Sequence, residues 1–312
     1  MKILNQKQKN DAIYILIRIL IVWARILPRG CGLALFAVLG RIVYLFPNHE
    51  KRRTLDHLRF IYGNAPPGFG DIKSMAAVVY ADLGKNLFET IRLPTWTLRD
   101  LDRQVVHDDL TDFRRAYDLG KGVIVISGHI GCFDLLLRFF PLKGFRSFTV
   151  AQRLYDPRLD ALVSEGLRTG DTVYLHRSDT RGVLKQLKDG RAMGVAIDQD
   201  TKVSGVFAHF LGKLAFTPSS AIKIAQHSGI PLFVSYTYRL KNGKHLVCVG
   251  TEVPLLRTEN SDEDLVRNVE EVNRRLSAAI ALAPTQWVWM HRRWATDVNN
   301  PAYSTIPNIE KL

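Results

Sequence analysis

The sequence predicts an α/β protein with a central, largely parallel mixed sheet flanked by helices, preceded by membrane-associated helices at the N-terminus. From about residue 122 onward, short β-branched runs alternate with helical patterns, which is typical of parallel strands joined by helical crossovers. Residues 1–47 are instead long apolar stretches interrupted by single arginines. We therefore divide the chain into an N-terminal anchor or interfacial helical segment, residues 1–47, and an α/β domain, residues 48–312.

The positive charge of the chain is concentrated near its beginning. The formal net charge is +13 over 312 residues. Residues 1–62 contain 11 Lys and Arg and three acidic residues, and so contribute +8. Basic charge beside apolar sequence favours an anionic lipid surface as the partner. Nucleic acid is the rival partner of any basic chain, but no groove-reading motif accompanies the charge, so we expect no nucleic-acid binding.

Two apolar runs at the N-terminus, residues 12–27 and 31–46, predict helices. A spanning helix needs about 20 mostly apolar residues, and a charge at mid-bilayer costs about 2.5–3.5 kcal/mol. Arg18, Arg25 and Arg41 interrupt the runs, so neither is a clean spanning helix. We expect a helix or helical hairpin in the membrane interface. A single tilted span and two amphipathic helices packed on a soluble core are the alternatives.

The α/β domain is predicted from its periodicities. Strands are predicted at 122–126, 145–152, 172–175, 192–197, 231–238 and 245–249. Helical patterns occur at 70–95, 131–140, 156–169, 179–189, 217–228 and 262–283. The first of these strands reads as buried, because it is a short β-branched run that ends in Ser127-Gly128.

The residues after that first strand are the strongest candidates for chemistry. His129 follows the carboxyl end of the strand, where open α/β sheets place their active sites. Asp134 comes five residues later, in the predicted first turn of the next helix. A histidine removes a hydroxyl proton near neutral pH when a carboxylate orients its ring. We predict His129 as the base and Asp134 as its orienter, with Gly128 and Gly131 leaving room for a substrate.

Spacing alone does not identify this pair. With nine His and 30 acidic residues in 312 positions, about one match to His-x4-acid is expected by chance. His107 and Asp112 also match, inside a polar stretch with no predicted strand before it. We interpret that second pair as part of a solvated face, so the position after a buried strand selects His129.

Other catalytic schemes find little support in the sequence. There is no G-x-S-x-G elbow, P-loop or G-x-G-x-x-G motif. Cys132 could form a thioester, but a buried structural thiol is the favoured interpretation. The three cysteines form no C-x-x-C pair, so we predict no zinc site and no disulfide framework. We also predict no metal site of another kind and no cofactor.

Four motifs in order carry a wider resemblance. They are Ser127–Asp134, Val150–Arg153, Ala196–Asp200 and Pro284–Trp294. Together they resemble the lipid A biosynthesis acyltransferase family of the lauroyl and myristoyl type, a relative of the glycerophosphate acyltransferases, over roughly residues 30–296. One departure is local, since family members commonly have Asn-Trp-Glu where this chain has Cys132-Phe133-Asp134.

The resemblance implies a glycerolphosphate-acyltransferase-like fold and transfer of a fatty acyl chain to a lipid hydroxyl. The donor would be a thioester of acyl carrier protein or of coenzyme A, and the acceptor an anionic lipid A precursor or similar glycolipid. Acceptors of the lysophospholipid or mannolipid type are alternatives, as is a non-catalytic membrane adaptor. The implied location is the bacterial inner membrane, with the active site on the cytoplasmic side.

Five further residues are predicted to bind substrate. Arg153, Arg177 and Arg292 are candidates because guanidinium groups bind phosphate in a bidentate fork. Asp198 ends a predicted buried strand, as His129 does, and Gln199 follows it in the third motif.

Overall fold

The computed structural model describes residues 6–151, 156–158, 160–161, 172–201 and 203–312 of the chain. The described strands are β1 (Val105–His107), β2 (Val123–Ser127), β3 (Ser147–Ala151), β4 (Val173–His176), β5 (Ala192–Ala196), β6 (Gly205–Phe210), β7 (Lys213–Pro218), β8 (Leu232–Val234), β9 (Tyr236–Arg239) and β10 (His245–Cys248). The α-helices with both ends among the described residues are α1 (Gln6–Ile26), α2 (Arg29–Leu45), α3 (His49–Tyr62), α4 (Ile72–Arg92), α5 (Leu98–Gln104), α6 (Thr111–Asp118), α7 (Leu135–Leu142), α8 (Thr180–Lys188), α9 (Ser220–Ser228) and α10 (Ser261–Leu282).

The predicted α/β architecture with a central sheet is confirmed. Five strands form this sheet in the order β4-β3-β5-β2-β8, and every neighbouring pair is parallel. The mixed pairing that we expected in it occurs in a separate sheet, where β10 pairs in parallel with β1 and antiparallel with β9. The predicted helix at 156–169 falls largely outside the described residues.

The hydrophobic core lies on both faces of strand β2, all of whose residues are buried. Because side chains alternate along a strand, Ile124 and Ile126 belong to the cluster that includes α10. Val123 and Val125 belong to a second cluster with aromatic side chains of α6 and α7. Burial on both sides explains why β2 is a continuous β-branched run. Packing on both faces also fixes the position of this strand, which directly precedes His129.

Two predicted boundaries were wrong for local reasons. The predicted strand at 231–238 is two strands, β8 and β9, in different sheets. The chain crosses between the sheets at Ser235, which donates its N–H to Ile126 and its hydroxyl to Cys248. The predicted helix at 131–140 begins only at Leu135, because Gly131 has a positive φ of 60° that a helix cannot include.

The N-terminal helices α1 and α2 were predicted, and α2 packs directly against α4. The rings of Phe36 and Phe88 lie 5.3 Å apart, and Arg29 forms an ion pair with the buried Glu89. Among the described residues, no single helix has both the length and the apolar character to cross a bilayer. The pair α2 and α3 meets that criterion together, across a bend of 91°.

Candidate active site

The carboxyl ends of β2 and β5 meet at one edge of the central sheet. These strands are parallel neighbours, and Ser127 pairs with Ala196 in their register. His129 and Asp198 each stand two residues beyond that pair. The register therefore places the two residues side by side, although they are 69 positions apart in the sequence.

Asp198 holds His129 through both carboxylate oxygens. The ring Nδ1 of His129 is 2.7 Å from Oδ1 of Asp198. The backbone N–H of His129 donates to Oδ2 at 2.6 Å, and the indole N–H of Trp287 donates to the same oxygen at 2.8 Å. Asp198 is completely buried, whereas the His129 side chain remains 18 % exposed. We predicted that Asp198 would bind substrate, but its contacts instead support the candidate base.

The electrostatics of this pair favour charge on both partners. Burial alone would raise the pKa of Asp198, but the charge and hydrogen bond of His129 outweigh burial and hold that pKa well below its usual range. Burial would likewise lower the pKa of His129, but the carboxylates of Asp198 and Asp134 raise it above 6.5. Asp198 thus remains ionised at neutral pH, and an imidazolium at His129 is stabilised.

We predicted that the glycines beside His129 leave room for a substrate. The space that a Cβ would take at each of them is instead occupied by other protein groups. A Cβ on Gly128 would lie 3.0 Å from a carboxylate oxygen of Asp198. A Cβ on Gly131 would lie 2.4 Å from the carbonyl oxygen of Thr237, and the positive φ there also favours glycine. Both glycines let protein groups approach the turn closely and so fix the position of the His129 backbone.

Asp134 lies beside the His129 ring but is held by a different helix. Its carboxylate accepts a hydrogen bond of 2.8 Å from the hydroxyl of Thr90 on α4. Burial raises the pKa of Asp134, and the Thr90 hydrogen bond and the charge of His129 offset this only in part. Among the described residues, the carboxylate hydrogen-bonded to the His129 ring is that of Asp198. The orienting role of Asp134 therefore stays a prediction.

Polar residues on α4 hold the turn that follows β2 in place. The side-chain amide of Asn86 donates to the carbonyl of Gly131 at 2.8 Å, and Arg239 donates to the oxygen of that amide at 2.7 Å. Glu89 is buried and forms ion pairs with Arg29 and Arg239. Burial would raise the pKa of Glu89, but the hydrogen bond and charge of His245, together with the charges of Arg239 and Arg29, lower it to about 2. The cluster therefore keeps its charge and ties α4 to the sheet that contains β9.

Gln199 and His291 face the other nitrogen of the His129 ring. The amide nitrogen of Gln199 is 3.1 Å from His129 Nε2 and 2.9 Å from His291 Nε2. The two imidazole rings lie 4.5 Å apart in an edge-on arrangement. Burial, to which the charge of His129 adds, lowers the pKa of His291 to about 4.

A narrow cavity of about 180 Å³ opens beside His129 and Asp134. Its wall is mostly apolar and comes from α7 and from strands β2, β3, β4 and β5. The lining includes Phe133, Leu136, Leu137, Phe140, Phe148, Val150, Tyr174 and Val195. It extends along β5 from Ala196 to Ala192, which corresponds to a length of about 13 Å at the usual strand rise.

The three predicted phosphate-binding arginines are not brought together by the described structure. Arg153 lies outside the described residues. Arg177 is exposed in the turn after β4, and Arg292 is exposed in the loop after α10. Neither Arg177 nor Arg292 is among the described residues that line the cavity.

Two secondary candidates from the sequence are also located. Cys132 is buried as predicted, and burial raises the pKa of its thiol far above the ordinary value, which leaves it a poor nucleophile. His107 ends strand β1, contrary to our expectation of no strand there, and its Nδ1 contacts the backbone oxygen of Asp108.

Sequence reasoning missed four residues that support the site. Trp287 and His291 lie in the fourth motif but received no role. Asn86 and Thr90 lie one helical turn apart on α4 and project toward the turn after β2. A signal was present, since Asn86 and Thr90 are polar residues at i and i+4 in a helix whose buried residues are mostly apolar.

Comparisons with known proteins identify the family. Residues 5–296 match the profile of the bacterial lipid A biosynthesis acyltransferases, and the chain therefore belongs to this family. It is 25 % identical over 276 residues to a lipid A biosynthesis lauroyltransferase of Escherichia coli K12, covering 86 % of this chain and 84 % of that protein. It is 23 % identical over 283 residues to a phosphatidylinositol mannoside acyltransferase of Mycolicibacterium smegmatis, covering 88 % and 89 %.

Proposed function

We propose that this member of the lipid A biosynthesis acyltransferase family moves a fatty acyl chain from an acyl thioester to a hydroxyl of a lipid A precursor or similar glycolipid. One observation supports this proposal most directly. His129, held at Nδ1 by Asp198, lines the apolar cavity. An acyl chain in that cavity would hold its thioester carbon beside the base.

The reaction uses His129 as a general base. The acceptor hydroxyl gives its proton to Nε2 as its oxygen attacks the thioester carbonyl. Asp198 and Asp134 stabilise the imidazolium that forms. The tetrahedral intermediate then loses the thiolate as the C–S bond breaks, and the imidazolium returns the proton to the sulfur. One ester is formed and one thiol is released, and His129 returns to its neutral form.

The charge of the chain supports the proposed substrates. The donor is a thioester of acyl carrier protein or of coenzyme A, and the acceptor is an anionic glycolipid. Both donor carriers and the acceptor are negatively charged, and a chain of net charge +13 attracts such partners over long distances. Arg153, Arg177 and Arg292 remain the proposed phosphate contacts of these groups.

A mannolipid acceptor is the second candidate. It is favoured by the match to a phosphatidylinositol mannoside acyltransferase along 88 % of this chain. A lysophospholipid acceptor would use the same base and cavity. A purely structural adaptor has no use for the buried ion pair of Asp198 with a partly exposed histidine, and is therefore disfavoured.

The proposal is tested with His129→Ala and a labelled acyl-acyl carrier protein or acyl-CoA. We expect transfer to the lipid acceptor to fall by about 10²- to 10⁴-fold, the usual contribution of a general base. His107→Ala is the matched control, because His107 is a half-buried histidine in the other sheet. Mass spectrometry of the product identifies the acceptor, and undiminished transfer by His129→Ala would overturn the mechanism.

We further propose that α1 and α2 lie on the cytoplasmic face of the bacterial inner membrane. Several apolar side chains of these helices are exposed, whereas such side chains usually occupy the core. They are Ile13, Ile15, Leu16, Ile19, Val22, Trp23, Ile26, Val38, Ile42, Val43 and Leu45. Arg18, Arg25 and Arg41 are exposed on the same helices, where their charged ends can reach lipid phosphates.

A triple variant tests the membrane contact without removing α2, which packs on α4. Ile15→Ser, Ile19→Ser and Val22→Ser remove three side chains that are each about half exposed. Each inserted side chain contributes about 1 kcal/mol or more, so binding to anionic phospholipid vesicles should fall by more than about 100-fold.

The control for that variant carries Leu119→Ser, Leu256→Ser and Leu282→Ser, three exposed apolar positions outside α1 and α2. We expect its vesicle flotation to match the unaltered protein. Equal flotation of both triple variants would contradict the proposed membrane contact.

A further inference from the structure

The proton-accepting nitrogen of His129 is already occupied in the structure. The amide nitrogen of Gln199 lies 3.1 Å from His129 Nε2 and 2.9 Å from His291 Nε2, so it bridges the two imidazoles. The same amide nitrogen is 3.4 Å from His129 Nδ1, but that nitrogen has the closer partner Asp198 at 2.7 Å. The bridge therefore lies where the substrate hydroxyl must arrive.

The chemistry of the partners assigns the protons in this bridge. Nδ1 of His129 donates to the ionised Asp198, so Nε2 of the neutral ring has a lone pair. His291 is neutral at pH 7, because its pKa is lowered to about 4, and burial is the largest cause of that lowering. Gln199 has two amide protons, and each is directed to one imidazole nitrogen.

We propose that Gln199 binds the acceptor hydroxyl and that His291 positions Gln199 for this role. On arrival, the hydroxyl inserts between the amide and the His129 ring. The amide N–H then donates to the hydroxyl oxygen, while the hydroxyl donates its proton to Nε2. His291 continues to accept the second amide proton, so the amide keeps its orientation. This inference rests on the proposed acyl transfer.

This arrangement favours a substrate group that both donates and accepts a hydrogen bond. A hydroxyl meets the amide N–H with a lone pair and meets Nε2 with its proton. The oxygen that attacks the thioester is thereby held with its proton already aimed at the base. His291 does not contact the reacting atoms in this scheme and acts only through Gln199.

Gln199→Leu removes the bridge with little change in side-chain size. We expect transfer to the lipid hydroxyl to fall by about tenfold, the effect of one lost hydrogen bond of ordinary strength. The KM for the acceptor should rise while the KM for the acyl thioester stays unchanged. Hydrolysis of the thioester without acceptor should fall less than transfer, because water reaches Nε2 once the amide is absent. Gln104→Leu, a partly buried glutamine at the end of α5, is the matched control.

The role of His291 is separated from a packing role by two substitutions. His291→Asn retains a side-chain oxygen that can accept the second amide proton, whereas His291→Leu does not. We expect the Asn variant to keep more transfer activity than the Leu variant. Equal impairment of both, or an equal loss of transfer and hydrolysis in Gln199→Leu, would overturn the proposal.

A measurement without substrates completes the test. The Gln199 amide stabilises the neutral form of the His129 ring, so its removal should raise the pKa of His129 in an NMR titration. No shift in Gln199→Leu would count against the bridge. If the unaltered protein transfers no acyl group, the proposed function fails whatever this titration shows. If it transfers normally and Gln199→Leu behaves like Gln104→Leu, only the present inference fails.

Discussion

The ends of β2 and β5 are neighbours in the sheet, yet they contribute different things to the site. The turn after β2 places His129 and Asp134 against the cavity. The segment after β5 places Asp198 behind the His129 ring, completely buried and hydrogen-bonded to protein groups. One strand end thus presents the reacting group, and the other fixes it.

Asp198 and Asp134, the carboxylates of these two segments, also differ in the direction in which their pKa is shifted. The pKa of Asp198 is held below its usual range despite burial, because His129 donates to it directly. The pKa of Asp134 is raised by burial, because the hydroxyl of Thr90 and a more distant charge compensate only in part. The difference teaches that proximity in sequence to a catalytic histidine does not decide which carboxylate holds its ring.

The largest expected effect comes from Asp198→Asn. The substitution removes the charge that faces the imidazolium and allows the wrong tautomer of His129, which can cost about 10³- to 10⁴-fold in kcat. The rate of acyl transfer at saturating substrates is the measurement. Circular dichroism should show an unchanged fold, since the amide keeps the size of the carboxylate.

Asp200→Asn is the matched control for that variant. Asp200 lies two residues further on, and its carboxylate accepts from the backbone N–H and hydroxyl of Thr296. We expect a loss of less than about tenfold, the effect of a weakened hydrogen bond. Comparable losses in the two variants would remove the distinction between Asp198 and its surroundings.

A smaller effect with a clear pH signature is expected for Asp134→Asn. His129 must be unprotonated to act as a base, so transfer declines as the pH falls through its pKa, which is raised above 6.5. The charge of Asp134 contributes to that raised pKa. Its removal should move the acidic limb of the pH–rate profile to lower pH and reduce the rate of acyl transfer by about tenfold. An unchanged limb would show that Asp134 exerts no electrostatic effect on the base. A loss as large as that of Asp198→Asn would return the orienting role to Asp134.

The sequence was sufficient to predict the strand before His129 and the alternation that builds the sheet, because both depend on local patterns. It could not predict the contact of His129 with Asp198, which depends on the register of Ser127 against Ala196.

The hairpin of β6 and β7 was missed for a different reason. Its turn consists of Leu211 and Gly212, both with positive φ, as a tight hairpin turn of type I′ requires. Asn-Gly and Asp-Gly are the usual sequences for such a turn, and leucine at positive φ is rare. The local signal was therefore weak, and the pairing of Gly205 with Pro218 becomes visible only in the structure.

The smallest expected effect is that of Cys132→Ala, although Cys132 lies between His129 and Asp134 in the sequence. Its thiol is buried, and burial strongly disfavours the thiolate. A direct attack by the acceptor hydroxyl needs no thiol, so transfer should change by less than about threefold while stability falls by about 1 kcal/mol through the lost packing. The contradicting result would be a loss of transfer comparable to that of His129→Ala, together with an acylated Cys132 in the mass spectrum of the intact protein. That result would replace direct attack by a thioester intermediate. The nucleophile would then be the Cys132 thiol and not the acceptor hydroxyl alone.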